Sequence, residues 1–159
     1  MRYAYSVPTQ DERHFGTLTV TKPLYTTEIL RLAASLSEPC ELEREDGRAE
    51  LRSPTCGSRI SLGVQLDGER RIERLSMQVH ACAFGQAAAA LVDKYCEGLT
   101  HEEVAAALVT LSRWLAHHHE EEAGWPDIIV LEPARRHKGR HGAILLPFRA
   151  LLAAIEAAA

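Results

Sequence analysis

The residues of this chain with the widest chemical scope are four cysteines, Cys40, Cys56, Cys82 and Cys96. Two of them stand where the backbone should change direction. Leu75, Met77 and Val79 alternate with polar residues in the manner of a strand, whereas Gln86-Ala-Ala-Ala-Ala-Leu-Val is unbroken strong helix former. Cys82 sits at the handover. It would lie beside the free N–H groups and positive dipole end of a helix, which favour a thiolate. A thiolate is both a nucleophile and a soft metal ligand. The competing reading of Cys82 is a buried cysteine acting as a small hydrophobe.

Cys56 lies in Ser53-Pro-Thr-Cys-Gly-Ser58, the break between two strand candidates. Gly57 lets the backbone turn tightly there and approach a bound atom. Adjacent strands of a meander bring their ends together, so Cys56 and Cys82 could meet at one end of a sheet. A third element end, Gly139-Arg-His141, precedes an apolar helix and carries His141. Arg135, Arg136, Lys138 and Arg140 around it would either stabilise nearby thiolates or form a solvated surface turn.

The elements that must position these residues read as follows. Residues 1–22 have no sustained period and are expected to form a flexible extension, with a short strand possible over 17–21. Tyr25–Leu36 is a helix capped by Thr26 or Thr27, with Ile29, Leu32, Ala33 and Leu36 on one face. Cys40–Arg44 and Arg48–Arg52 read as strands joined through Glu45-Asp46-Gly47, where Asp-Gly signals a hairpin. Arg59–Leu66 alternates, and Asp67-Gly68 turns the chain into the strand that leads to Cys82. A helix then runs to about Cys96, and Gly98 terminates it. Thr100–Glu103 is a capping-box pattern opening a helix to about His117. His117-His-His-Glu-Glu-Glu-Ala-Gly reads as a solvated loop, and Ile128-Ile-Val-Leu as a short apolar run. Ala134–His141 reads as a basic loop before a final helix, with Pro147 in its first turn or kinking it. This order predicts an α+β fold: an antiparallel meander with helices packed on one side, in two layers.

Composition bounds the rest. The chain has 159 residues, 46% hydrophobic and 25% charged, which suits one domain with a real core. A net charge of -4 gives no reason to expect a nucleic-acid partner. No apolar run approaches about 18 residues, so no membrane partner is expected. The N-terminus lacks a secretory pattern, which leads to the expectation of a cytoplasmic protein. In a reducing compartment cysteines are more often metal-binding or catalytic than disulfide-bonded. No CxxC pair, GxGxxG, P-loop or GxSxG motif occurs.

Three motifs in order carry a resemblance: Pro54-Thr-Cys-Gly-Ser58, then Ala81-Cys-Ala-Phe-Gly-Gln-Ala-Ala-Ala89, then Arg140-His-Gly-Ala-Ile-Leu-Leu-Pro-Phe-Arg-Ala-Leu151. Over roughly residues 24–157 the chain resembles the U-type iron–sulfur cluster assembly scaffolds, the NifU N-terminal, IscU and SufU proteins. Its long interval between the second and third motifs is nearer the SufU type. The resemblance implies a SufE/NifU-like two-layer domain over residues 23–159, following the extension over 1–22. It also implies a non-enzymatic scaffold that holds a nascent iron–sulfur cluster or a zinc ion. The expected partners are a cysteine desulfurase and apo-protein recipients. By the same resemblance Cys56 and Cys82 match two ligand cysteines, and His141 matches the histidine before the third. Gly142 stands where that third cysteine would be, and Ser58 stands in place of an aspartate. Cys56, Cys82 and His141 thus remain as the cofactor and metal ligands, with a fourth position open. Two alternatives stay beside this one. In the first, Cys82 or Cys56 carries a persulfide in the manner of SufE proteins. In the second, the chain is a degenerate module that only binds partners. Cys40 and Cys96 match no ligand position and are expected to be structural. His117, His118, His119 and His137 are weaker ligand candidates, and His80 is expected to point away from Cys82.

Overall fold

Alternation at Ile60, Leu62, Val64 and Leu66 makes β2 (Arg59–Leu66) the middle strand of three, and all four side chains are buried. Fully burying each such side chain favours the fold by about 1.5–3 kcal/mol. β1 (Gly47–Arg52) and β3 (Ile72–His80) pair with it on either side, both antiparallel, in the order β1-β2-β3. The register sets Arg52 opposite Arg59, and Arg59 opposite His80. The computed structural model describes residues 23–117 and 122–158. The expected extension over residues 1–22, with its short strand, lies outside the described residues, as do His118 and His119.

Among the described residues four α-helices lie on one side of the sheet, the second and fourth against the strands and the first and third against those helices. α1 (Thr27–Ala34) starts at Thr26, whose side chain accepts the Ile29 N–H, and buries Ile29 and Ala33. α2 (Ala83–Tyr95) follows β3 directly, with Cys82 as its N-cap and Cys96 as its C-cap. α3 (His101–Ala116) opens on the expected capping box, with Thr100 and Glu103 bonded reciprocally. α4 (Lys138–Ala157) lies against β1 and β2 and also packs on α2 and α3. The result is the expected α+β arrangement of an antiparallel meander covered on one side.

Two segments differ from the sequence expectation. Cys40–Arg44 is irregular, because its polar groups are satisfied by side chains instead of a ladder. Ser76 Oγ donates to Cys40 O at 2.6 Å, and Arg44 N donates to Gln65 Oε1 at 3.4 Å. Asp46 does not turn a hairpin either. Its carboxylate accepts the Leu66 N–H at 2.7 Å and pairs with Arg44, closing the end of β2.

The second segment is the stretch read as an apolar run and a basic loop. A 3₁₀ helix occupies Ile128–Arg136, and α4 begins at Lys138. Arg135 is buried there. It donates to Trp114 O at 2.8 Å and to His117 O, and its guanidinium lies 4.7 Å from the Trp114 ring centre. α4 therefore starts well before Pro147, which lies in its interior.

β1 is pinned to the C-terminal turns of α4. A Cβ on Gly47 would stand 2.0 Å from Ala154 O and 2.8 Å from Ala158 N, both backbone atoms. Gly47→Ala must therefore push strand and helix apart. It is expected to lower stability by about 1–3 kcal/mol, read as a fall in thermal midpoint with the folded circular dichroism spectrum retained.

Candidate cysteine site at the sheet end

The turn between β1 and β2 carries Cys56. Ser53 N donates to Ser58 O at 2.8 Å and Gly57 N to Ser53 O at 3.2 Å, so the loop closes on itself. Gly57 has φ 68, a conformation that suits glycine. Cys56 is half-buried, with its Sγ 3.0 Å from Ser58 Oγ. Ser53 and Ser58 are buried. Burial pushes the Cys56 thiol up, but hydrogen bonds from Ser53 and Ser58 and the charge of Arg140 outweigh it. The thiol ends below its ordinary range.

Cys82 stands just past the same end of the β2–β3 pair, since Arg59 opposes His80. It is half-buried and extended at φ -66 and ψ 169, and its side chain makes no cap hydrogen bond. The N-cap position itself agrees with the strand-to-helix handover read from the sequence.

His141 is half-buried in the first turn of α4. Its Nε2 lies 3.0 Å from Arg135 O and 3.2 Å from Ala134 O. Both partners are acceptors, so Nε2 carries the proton and Nδ1 is the nitrogen left for a ligand.

The three elements converge through small residues. A Cβ on Gly142 of α4 would stand 3.0 Å from Ser53 Oγ and 3.2 Å from Thr55 Oγ1. A Cβ on Gly85 of α2 would stand 3.3 Å from Ala143 O. The start of α4 thus touches both the Cys56 turn and the first turn of α2. Among the described residues no group of three or more His, Cys, Asp or Glu side chains is arranged to hold a metal ion.

The remaining candidates are placed elsewhere. Of the four basic residues near His141, Arg140 acts on the Cys56 thiol, whereas Arg135 is committed to Trp114 and His117. Cys96 is buried, and burial first and the Asp93 charge second push its thiol up to about 12. Cys40 is exposed, with its Sγ 3.5 Å from Leu75 O. His80 and His137 are exposed. Sequence reasoning missed Ser53, and it read Ser58 only as a lost ligand. The signal was available: two serines bracket Cys56 in one tight turn.

A three-stranded meander with a cysteine turn and a cysteine-capped helix at one end defines a class, and comparison with known proteins gives the family. The chain matches the model of the NifU-like N terminal domain over residues 24–117, and it belongs to that family. A crystal structure of a nitrogen-fixing NifU-like protein (N-terminal) from Brucella abortus is similar, at 28% identity and TM-score 0.76. The match covers 84% of this chain and 92% of that one. The fold is shared with a putative iron–sulfur cluster assembly scaffold protein for the SUF system from Fervidobacterium islandicum AW-1. That match has 20% identity and TM-score 0.74, over 83% of this chain and 96% of that one. No curated protein matches significantly.

The thiol environments predict distinct alkylation profiles. Cys56 should react with iodoacetamide at lower pH than a free thiol, because its pKa is lowered and the rate rises as pH climbs through that pKa. In Ser58→Ala that rise should move to higher pH, since one donor to the thiolate is lost. Cys96 should stay unlabelled until the protein unfolds. Peptide mass spectrometry after timed quenching separates the four cysteines.

Proposed function

We propose that this chain is an iron–sulfur cluster assembly scaffold that binds a metal ion or nascent cluster as transient cargo and passes it on. Cys56 and Cys82 act as thiolate ligands and His141 as a nitrogen ligand through Nδ1. The observation that carries the reading is the placement of Cys56, whose thiol is held below its ordinary range, and Cys82 past the same sheet end on a NifU-type fold. Two thiolates and an imidazole suit zinc as well as iron. An exchangeable external ligand takes the fourth position. A cysteine desulfurase supplies sulfur and apo-proteins receive the product, in a reducing cytoplasm. Among the described residues no helix is long and apolar enough to cross a membrane.

Metal content of protein purified without an added histidine tag tests this. About one equivalent of zinc or iron is expected, by the stoichiometry of one such ligand set, and it should be lost in Cys56→Ser with Cys82→Ser. Metal-free protein that gains a persulfide from a cysteine desulfurase would replace the scaffold reading with the sulfur-carrier one.

The fourth ligand can also be supplied from within. Gly142 has helical backbone, so a cysteine is allowed there, and its Cβ requires only that the Ser53 and Thr55 hydroxyls shift slightly. Gly142→Cys with Ser58→Asp should hold a reconstituted cluster longer than the parent under anaerobic chelator challenge, because an intramolecular thiolate acts at high effective concentration. Gly142→Cys alone separates the ligand effect from the cost of burying a carboxylate at position 58. Cluster loss at the parental rate in both folded variants would remove position 142 from the site.

A further inference from the structure

The start of α4 faces the residues just before Cys56 across a cavity of about 200 Å³. Three cations line it, Arg52, Lys138 and Arg149, and no acidic residue does. Lys138 and Arg149 have no ion-pair partner among the described residues, while Arg52 makes one exposed contact with Glu50 at 3.4 Å. Such an exposed pair is weak and yields readily to a better-placed anion. Two hydroxyls, Ser53 Oγ and Thr55 Oγ1, stand 3.2 Å apart on the same wall. The floor is open because Gly142 has no side chain; a Cβ there would crowd both hydroxyls. Uncompensated like charges around a concave space with hydroxyl donors have one chemical complement, an oxyanion held by charge-assisted hydrogen bonds.

We propose that this cavity binds a small molecule through a carboxylate or phosphate group. Lys138 and Arg149 supply the charge, and the Ser53 and Thr55 hydroxyls supply orienting hydrogen bonds. Ser53 connects the cavity to the candidate cysteine site, since its backbone closes the Cys56 turn, with its N–H donating to Ser58 O and its carbonyl accepting the Gly57 N–H. The proposal does not depend on what Cys56 and Cys82 carry.

The test titrates the full metal-free chain with inorganic phosphate and, separately, with succinate, following amide chemical shifts by NMR against chloride at matched ionic strength. Saturable shifts at Ser53, Thr55 and Gly142 with at least one of the two anions are expected. Phosphate alone would assign a phosphate ester, and succinate alone a carboxylate. Lys138→Gln with Arg149→Gln, both at exposed side chains, should leave the fold intact and weaken binding about tenfold or more. Lys138→Arg should retain it. The proposal is overturned if neither anion gives a response beyond that of chloride. Unchanged affinity in the folded double variant overturns it equally.

Discussion

The close approach of α2 to α4 is the constraint on which the rest of this structure depends. α2 is buried almost all round: Phe84, Gly85 and every residue from Ala87 to Val92 are inaccessible or nearly so. Such a helix must be thin where other helices cross it, and its alanines serve that purpose as much as helix propensity. At Gly85 there is no room for even one carbon, since a Cβ would stand 2.6 Å from Ala81 Cβ. On the other side of the contact, Pro147 cannot donate to the carbonyl four residues back, Ala143 O. That carbonyl lies against Gly85. The contact seats the start of α4 beside the start of α2, and Gly142 can then reach the Cys56 turn. Bulkier residues in α2 would lift α4 away and separate the elements that carry Cys56, Cys82 and His141.

Elements whose stabilisation is local or periodic were legible in the sequence. The Thr100–Glu103 box is satisfied within one turn, and the alternation from Ile60 to Leu66 reports a single buried face. Cys40–Arg44 was not legible as what it is, because its backbone polar groups find side chains far along the chain: Ser76 for Cys40 O and Gln65 for Arg44 N. Asp46-Gly47 was misleading for a related reason. Both residues are used at long range, the aspartate to close β2 and the glycine to let α4 approach.

The basic stretch shows the same limit for charge. Four cations in six residues read as solvent-facing, and Arg135 is not. Its burial rests on the Trp114 ring and on two carbonyls at the end of α3, none of which announces itself in the sequence around Arg135. Satisfying those carbonyls with a cation also complements the negative end of the helix dipole. Arg135 therefore ties the 3₁₀ helix to α3, and its own carbonyl then accepts from His141. A residue read as electrostatic support for a thiolate instead fixes the orientation of a candidate ligand.

The site was legible in its cysteines and not in its hydroxyls. Ser58 reads as a defect when judged as a metal ligand, because a neutral hydroxyl binds a cation less well than a carboxylate does. Judged by its position, 3.0 Å from Cys56 Sγ, it has another effect. A carboxylate there would repel the thiolate when no cation is present and so raise the thiol pKa, whereas a hydroxyl donates to the thiolate and lowers it. The two residues thus favour different states of the same turn. An acidic residue would favour a bound cation there; serine favours the thiolate form of Cys56 over what a carboxylate would allow. Ser53 and Arg140 act on the Cys56 thiol in the same direction as Ser58, so three neighbours from two elements hold it below its ordinary range.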